Sequence, residues 1–270
     1  MVENIRTELF FLKQFGFNNT LLQEIFIKGL DPIKTIFSNE YLIRANIGRK
    51  FTDKDVLLAN DYYKYREFKY YLFNKDEFFR DSKSKIYFKF DETNITKLLP
   101  EKIMPLFMYT KGNNSLLDIK KQRVAIIGTR HPSNRAIKIT KKITQKFLED
   151  NYVIVSGLAE GIDTISHKTA IKYNYPKENI ELAKEILDKG LLLTSIGPNE
   201  NTYKSSFLDR NKYIANISDI VVVTETNLKS GTMNTIRSAS IAGKKILFVN
   251  QGDNLINNKI YEFGGEMIDD

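Results

Sequence analysis

The chain has 270 residues, 42% of them hydrophobic and 27% charged, the composition of one large folded domain or two ordinary ones rather than of a disordered segment. Its 41 Lys and Arg against 33 Asp and Glu leave a net charge of +8, and the absence of Cys excludes disulfides, thiolate metal sites and a Cys nucleophile. Two histidines, His131 and His167, all but exclude a His metal cluster, and no apolar run approaches the roughly 20 residues of a bilayer span.

Met1 is not followed by the apolar stretch of a signal peptide, so a cytoplasmic protein with no membrane partner is expected. The basic excess is spread over both halves of the chain. It is either a Lys-rich solvated surface or a face that folding gathers to meet an anion.

In chain order, residues 4–16 repeat Ile5, Leu9, Leu12 and Phe15 at helical spacing, and Asn18, Asn19 and Thr20 offer caps to the helix that follows. Residues 61–90 mix Tyr, Phe, Lys and Asp. The run Tyr62, Tyr63, Lys64, Tyr65, Phe68, Tyr70 and Tyr71 reads either as a stacking platform for single-stranded nucleic acid or as a helix packing its rings inward; the second is the expectation. KIYFKF (85–90) alternates like a strand with Ile86, Phe88 and Phe90 on one face.

From 122 the pattern changes. VAIIGT (124–129), YVIVSG (152–157), LLLTS (191–195), DIVVVTE (219–225) and KKILFVN (244–250) are buried-strand runs. Between them lie an amphipathic helix over 134–151 with Ala136, Ile139, Ile143 and Phe147 on one stripe, a helix over 178–190 closed by Gly190, and helical segments near 207–217 and 232–242. Apolar strands alternating with amphipathic helices predict an α/β fold: a Rossmann-like, mostly parallel sheet with helices on both faces, preceded by a small helical N-terminal domain. The expected division is 1–75 for the helical part, 76–120 for a connecting segment and 121–270 for the α/β domain.

Open parallel sheets bind ligands beyond the carboxyl ends of their strands, where backbone N–H groups and helix dipoles favour phosphate. Those ends carry Gly128, Thr129 and Arg130; Ser156 and Gly157; Ser195; and Ser230, Gly231 and Thr232. Glycine admits close approach, hydroxyls donate to phosphate oxygens, and arginine offers a forked cation, so an anionic-ligand site is expected there. Neither G-x-G-x-x-G nor a Walker loop is present, which argues against nicotinamide redox chemistry and P-loop hydrolysis. Asp163 and His167 share a helical face, but no nucleophile or oxyanion site accompanies them, so no catalytic residue is assigned; Asp163 is read as a helix cap and His167 as locally packed.

VAIIGTR (124–130), SGLAEGID with His167 (156–167), YPKEN (175–179), FLDRNKYIANIS (207–218) and SGTMNTIRSASIAG (230–243) are similar, in this order, to the motifs of the DprA/Smf family. MPLFMYTKGN (104–113) resembles the segment before that family's first strand. The resemblance implies a non-enzymatic, homodimeric protein of natural transformation that binds single-stranded DNA, protects it and helps load a RecA-type recombinase, with no cofactor. It maps the phosphate pocket onto Gly128, Thr129, Arg130, Ser156, Gly157, Arg210, Asn211, Lys212, Ser230, Gly231 and Thr232. Residues 1–100 resemble a small sterile-alpha-motif-like domain only in being helical.

Three departures stand out. Glu160 occupies a position usually basic, RNK replaces RNR, and Ile171 is followed almost at once by Tyr175 and Pro176, with no room for a central strand. A parallel sheet lacking that strand must close its ranks or reroute the crossover. The alternative reading is a nucleotide-binding enzyme similar to LOG-type phosphoribohydrolases, or a nucleotide-sensing module. Against the enzyme, Met233, Asn234 and Thr235 stand where the catalytic carboxylate of P-G-G-x-G-T-x-x-E is needed.

Overall fold

The structure, a computed structural model, describes residues 2–75, 81–171 and 185–269. These form two compact units. The first is Met1–Asp91 with Pro105–Tyr109 and Thr194–Thr202, and the second is Glu92–Met104 with Thr110–Leu193 and Tyr203–Asp270. YPKEN (175–179), and with it Tyr175, Pro176, Glu178 and Asn179, lies outside the described residues, as does most of the helix read over 178–190.

The first unit is built from α1 (Val2–Phe15), α2 (Asn19–Ile27), α3 (Pro32–Ile36), α4 (Glu40–Ile47), α5 (Asp53–Ala59), α6 (Tyr62–Lys75) and β1 (Ser84–Phe88). Its caps explain its corners: the side chains of Asn18, Asp31 and Thr52 each accept an N–H from the first turn of α2, α3 and α5, which replaces partners the helix itself lacks. Leu9 and Leu12 of α1 are fully buried with Leu21, Leu22 and Ile25, and Phe88 joins them with Ile86 and Phe90 packed alongside, as the spacing predicts. The expectation that α6 turns its rings inward holds for Tyr65 and Phe68 and is corrected for the others. Tyr65 and Leu72 are buried, whereas Tyr62, Tyr63, Tyr70, Tyr71 and Phe73 are exposed. Fourteen residues make nearly four turns, and a helix against one core can bury only a stripe of them.

The second unit carries the α/β architecture. After α7 (Asn94–Leu98) and β2 (Phe107–Gly112), whose first three residues count with the first unit, the elements are β3 (Arg123–Gly128), α8 (Asn134–Glu149), β4 (Val153–Val155), α9 (Ile162–Ile171), β5 (Leu191–Thr194, its last residue counting with the first unit), α10 (Lys204–Ile217), β6 (Ile220–Glu225), α11 (Gly231–Ile241), β7 (Lys245–Val249), α12 (Asn254–Glu262) and β8 (Gly265–Ile268). Five strands pair in the order β4-β3-β6-β7-β8, every pair parallel. Alternate residues serve opposite faces. Ala125, Ile127, Val221 and Val223 pack on Ile214, Met233, Ile236 and Ile260, while Val124, Ile126 and Val222 pack on Ala136, Ile139, Ile143 and Ile162. The fold is thus the parallel α/β sheet, covered on both faces, that the strand and helix pattern predicts.

Two details differ from the sequence reading. LLLTS (191–195) does form a strand, but β5 pairs in a separate sheet of order β1-β2-β5, so Ser195 is not at the carboxyl edge of the five-stranded sheet. An apolar run specifies burial and not which neighbour accepts its hydrogen bonds. Gly190 is not among the glycines with positive φ; a Cβ there would stand 3.1 Å from Ile186 Cγ2, so close packing explains the glycine.

Candidate functional site

The chain leaves β3 through α8 to β4 on one side, and β6 then pairs on β3's other side. That reversal makes the crevice beyond Gly128 and Glu225 the topological switch point, where a parallel sheet offers an opening to a ligand. Gly128 sits there for packing: a Cβ would stand 2.5 Å from Ile162 Cγ1 and 2.8 Å from the Glu225 carbonyl oxygen. The Thr129 N–H donates to that same carbonyl at 2.8 Å, which holds the turn in place and leaves Arg130 exposed at its tip.

The loop after β4 is held from below by one carboxylate. Asp163, in the first turn of α9, accepts the N–H of Gly157 at 3.0 Å and of Ala159 at 3.3 Å. The residue between them, Leu158, has φ 58°, a left-handed conformation that costs a non-glycine residue about 1 kcal/mol or more. Asp163 clamps both sides of that strain. Gly161, at φ 80°, closes the loop so tightly on the carbonyls of Thr129 and Arg130 that a side chain would collide with them. Burial raises the Asp163 pKa above the ordinary carboxylate value, opposed by the N–H donors, the Ser156 hydroxyl and the charge of Arg210.

Arg210 reaches this loop from α10. Its Nη1 donates to the Gly157 carbonyl at 2.8 Å, and its guanidinium lies 5.6 Å from the ring centre of Phe207. Its Nε is buried with no hydrogen-bond partner. Burial lowers its pKa, Asp163 opposes that, and the positive charge of Arg130 lowers it further.

The remaining candidates divide by what their polar groups already hold. Ser156 Oγ donates to the Ile126 carbonyl at 2.8 Å and Thr232 Oγ1 to the Gly128 carbonyl at 3.0 Å. Buried Asn211 donates from Nδ2 to the Gly231 carbonyl at 3.2 Å, tying α10 to the start of α11. Ser230 caps α11, accepting from the Met233 N–H, and shares a 2.9 Å hydrogen bond with Thr226. A Cβ on Gly231 would meet nothing within 4 Å, so open space lies beside the start of α11. Arg210 is thus tied to Gly157, Asn211 to Gly231 and Thr232 to Gly128, which fixes the turns around the sheet edge. Lys212 stands apart: two residues beyond Arg210 it lies on another helix face, exposed, with Nζ 2.8 Å from Asp209. Glu160 is exposed and forms no ion pair among the described residues.

Sequence reasoning missed two parts. Phe207 beneath Arg210 had a signal, since it opens the motif that contains the arginine. Asp163 was read as a cap of its own helix, whereas it caps the preceding loop. His167 does not pair with it: the ring hydrogen-bonds the Ser156 backbone, and burial lowers its pKa to about 4. No group of carboxylates and histidines among the described residues could hold a metal, and no described helix is long and apolar enough to cross a membrane.

A family model described as DNA recombination-mediator protein A matches residues 87–260. The chain is 31% identical over 159 residues to the DNA processing protein DprA of Bacillus subtilis, covering 54% of this chain and 53% of the relative. It is 35% identical over 159 residues to the DprA of Streptococcus pneumoniae, covering 54% and 55%. The chain therefore spans about half the length of the curated relatives it matches. Among solved structures, the DNA processing protein A of Helicobacter pylori, studied for its single-stranded DNA binding mode, superposes with a TM-score of 0.59 at 28% identity, over 68% of this chain and 90% of that one. The Streptococcus pneumoniae DprA structure superposes with a TM-score of 0.66 over 97% and 94% at 23% identity, a likeness of fold alone.

Proposed function

The chain belongs to the DNA recombination-mediator protein A family, also called DprA/Smf, and on that premise we propose that it binds single-stranded DNA along the carboxyl edge of its parallel sheet. One observation carries the reading: Arg210 is seated by Nη1 on the Gly157 carbonyl while its buried Nε has no hydrogen-bond partner, in the loop that closes through Gly161 on the turn carrying exposed Arg130. A phosphate there gives the unpartnered guanidinium N–H an acceptor and meets a second cation, Arg130, at the neighbouring turn. The proposed binding set has two roles. Arg130 and Arg210, the N–H groups of Gly231 and Thr232, and Lys212 from outside meet phosphate. Gly128, Thr129, Ser156, Gly157, Asn211 and Ser230 shape the turns that present them.

Nothing in that set reads base edges, so binding is to the backbone and indifferent to sequence. Titration of labelled oligo-dT by fluorescence anisotropy tests it. Affinity is expected to fall by orders of magnitude from low to moderate salt, and Arg130→Ala and Arg210→Ala are each expected to weaken it at least tenfold. Unchanged affinity in both variants would remove the pocket from the function. In the same reading a homodimer protects incoming DNA in the cytoplasm during natural transformation and passes it to a RecA-type recombinase. That part is tested by whether the protein accelerates recombinase assembly on protein-coated single strands.

A further inference from the structure

The exposed face of α6 in the first unit is unused by the pocket. It lines a cavity of about 350 Å³ whose walls include Glu8, Tyr62, Arg66, Lys69, Tyr70 and Phe73. We propose that this face is a second contact for single-stranded DNA, in which rings of α6 stack on bases and its cations meet the phosphates. The proposal extends the reading above by placing the same ligand on a different unit.

Three observations carry it. The positions 62, 66, 70 and 73 follow one another at helical i, i+4 and i+3 steps, so they form one row, each four-residue step about 6 Å along the axis. Large rings are displayed there: Tyr70 is 74% exposed and Phe73 72%, whereas Tyr65 and Leu72 on the core side are buried. Tyr62 is braced at 4.8 Å from the ring of Phe37, so its orientation is set before any ligand arrives.

Charge selects the occupant. α6 carries four basic residues and one acidic residue. Glu8 already holds Lys69 in an ion pair and accepts the Tyr65 hydroxyl at 2.9 Å. Arg66, in the middle of the row, has no carboxylate partner among the described residues. An apolar protein surface docked here would bury Arg66 without compensation, which is costly. A single strand supplies a π-face for each ring and a phosphate for the guanidinium, and stacking of this kind tolerates any base.

The chain contains no Trp, so Tyr70→Trp places one tryptophan reporter on the row of the whole 270-residue chain. Oligo-dT is expected to quench its emission with the same midpoint that anisotropy gives. Tyr70→Ala with Phe73→Ala is expected to weaken binding about tenfold or more, with unchanged thermal melting because both side chains are exposed. Emission that stays constant while anisotropy reports binding overturns the proposal, as does a double variant that binds normally. A double variant that changes the oligomeric state, read by light scattering, while binding the oligonucleotide normally assigns the face to a protein contact and overturns it too. If Arg130→Ala and Arg210→Ala bind normally while the reporter is quenched, the pocket falls and the α6 contact stands. If those variants lose binding and the reporter is silent, the pocket stands alone. A chain indifferent to oligo-dT ends both.

Discussion

Arg210 is seated on Gly157: Nη1 donates 2.8 Å to the glycine carbonyl, and a Cβ on that glycine would stand 3.1 Å from the guanidinium carbon and 2.8 Å from Asp163 Oδ2. The glycine is needed for a side chain to approach it. Gly157→Ala is expected to push the guanidinium away and lower oligo-dT affinity about tenfold, while the fold survives a loss of about 1–2 kcal/mol. Anisotropy and urea denaturation measure the two effects, and an alanine variant with full affinity contradicts the placement.

Asp163 satisfies two N–H groups of a strained loop and lies near the half-buried guanidinium of Arg210. Asp163→Ala leaves those N–H groups without their acceptor and is expected to cost about 1–3 kcal/mol of stability. Asp163→Asn keeps one acceptor oxygen and should lose less. Urea midpoints that do not separate the two variants would show that the carboxylate is not the clamp.

His167 titrates at about 4 in the folded protein against about 6.5 when unfolded. The unfolded chain therefore binds the proton first as pH falls, and stability drops between pH 6.5 and 4. From pH 7 to pH 5 the loss attributable to this ring is about 1–2 kcal/mol, reduced from the full linkage value because the ring is partly exposed. The raised Asp163 pKa acts in the opposite direction, favouring the folded state as that carboxyl takes up its proton. Comparing urea midpoints of wild type and His167→Gln across this range isolates the histidine, and equal pH slopes refute its role.

Arg130 and Lys212 should differ in how they answer salt. Arg130→Ala is expected to reduce the slope of log affinity against log salt concentration by about one unit. Lys212, paired with Asp209 on another helix face, should change it less when replaced by alanine. Equal slopes for the two variants would mean that the exposed lysine meets phosphate as directly as the arginine.

Much of the second unit was legible because its signals are local. Val124 to Ile127 and Val221 to Val223 declare strands buried on both faces, Ala136, Ile139 and Ile143 declare a helix stripe, and the motifs around Arg130, Gly157, Arg210 and Gly231 announce the turns. The final α12 and β8 were not anticipated, because NLINNKIYE and GEMI are short and weakly patterned. The fate of β5 was illegible for another reason: strand pairing is a choice among distant partners.

Residue order alone determined the fold class, the existence of the glycine turns and the identity of the cations, since backbone preference, periodicity and side-chain chemistry are properties of short segments. Only the tertiary structure decided that Asp163 clamps the neighbouring loop, that the hydroxyls of Ser156 and Thr232 are taken up by the carbonyls of Ile126 and Gly128, and that most rings of α6 face outward. Each of those outcomes depends on which distant groups compete for one hydrogen bond or one buried stripe, and that competition is settled only when the chain is closed in three dimensions.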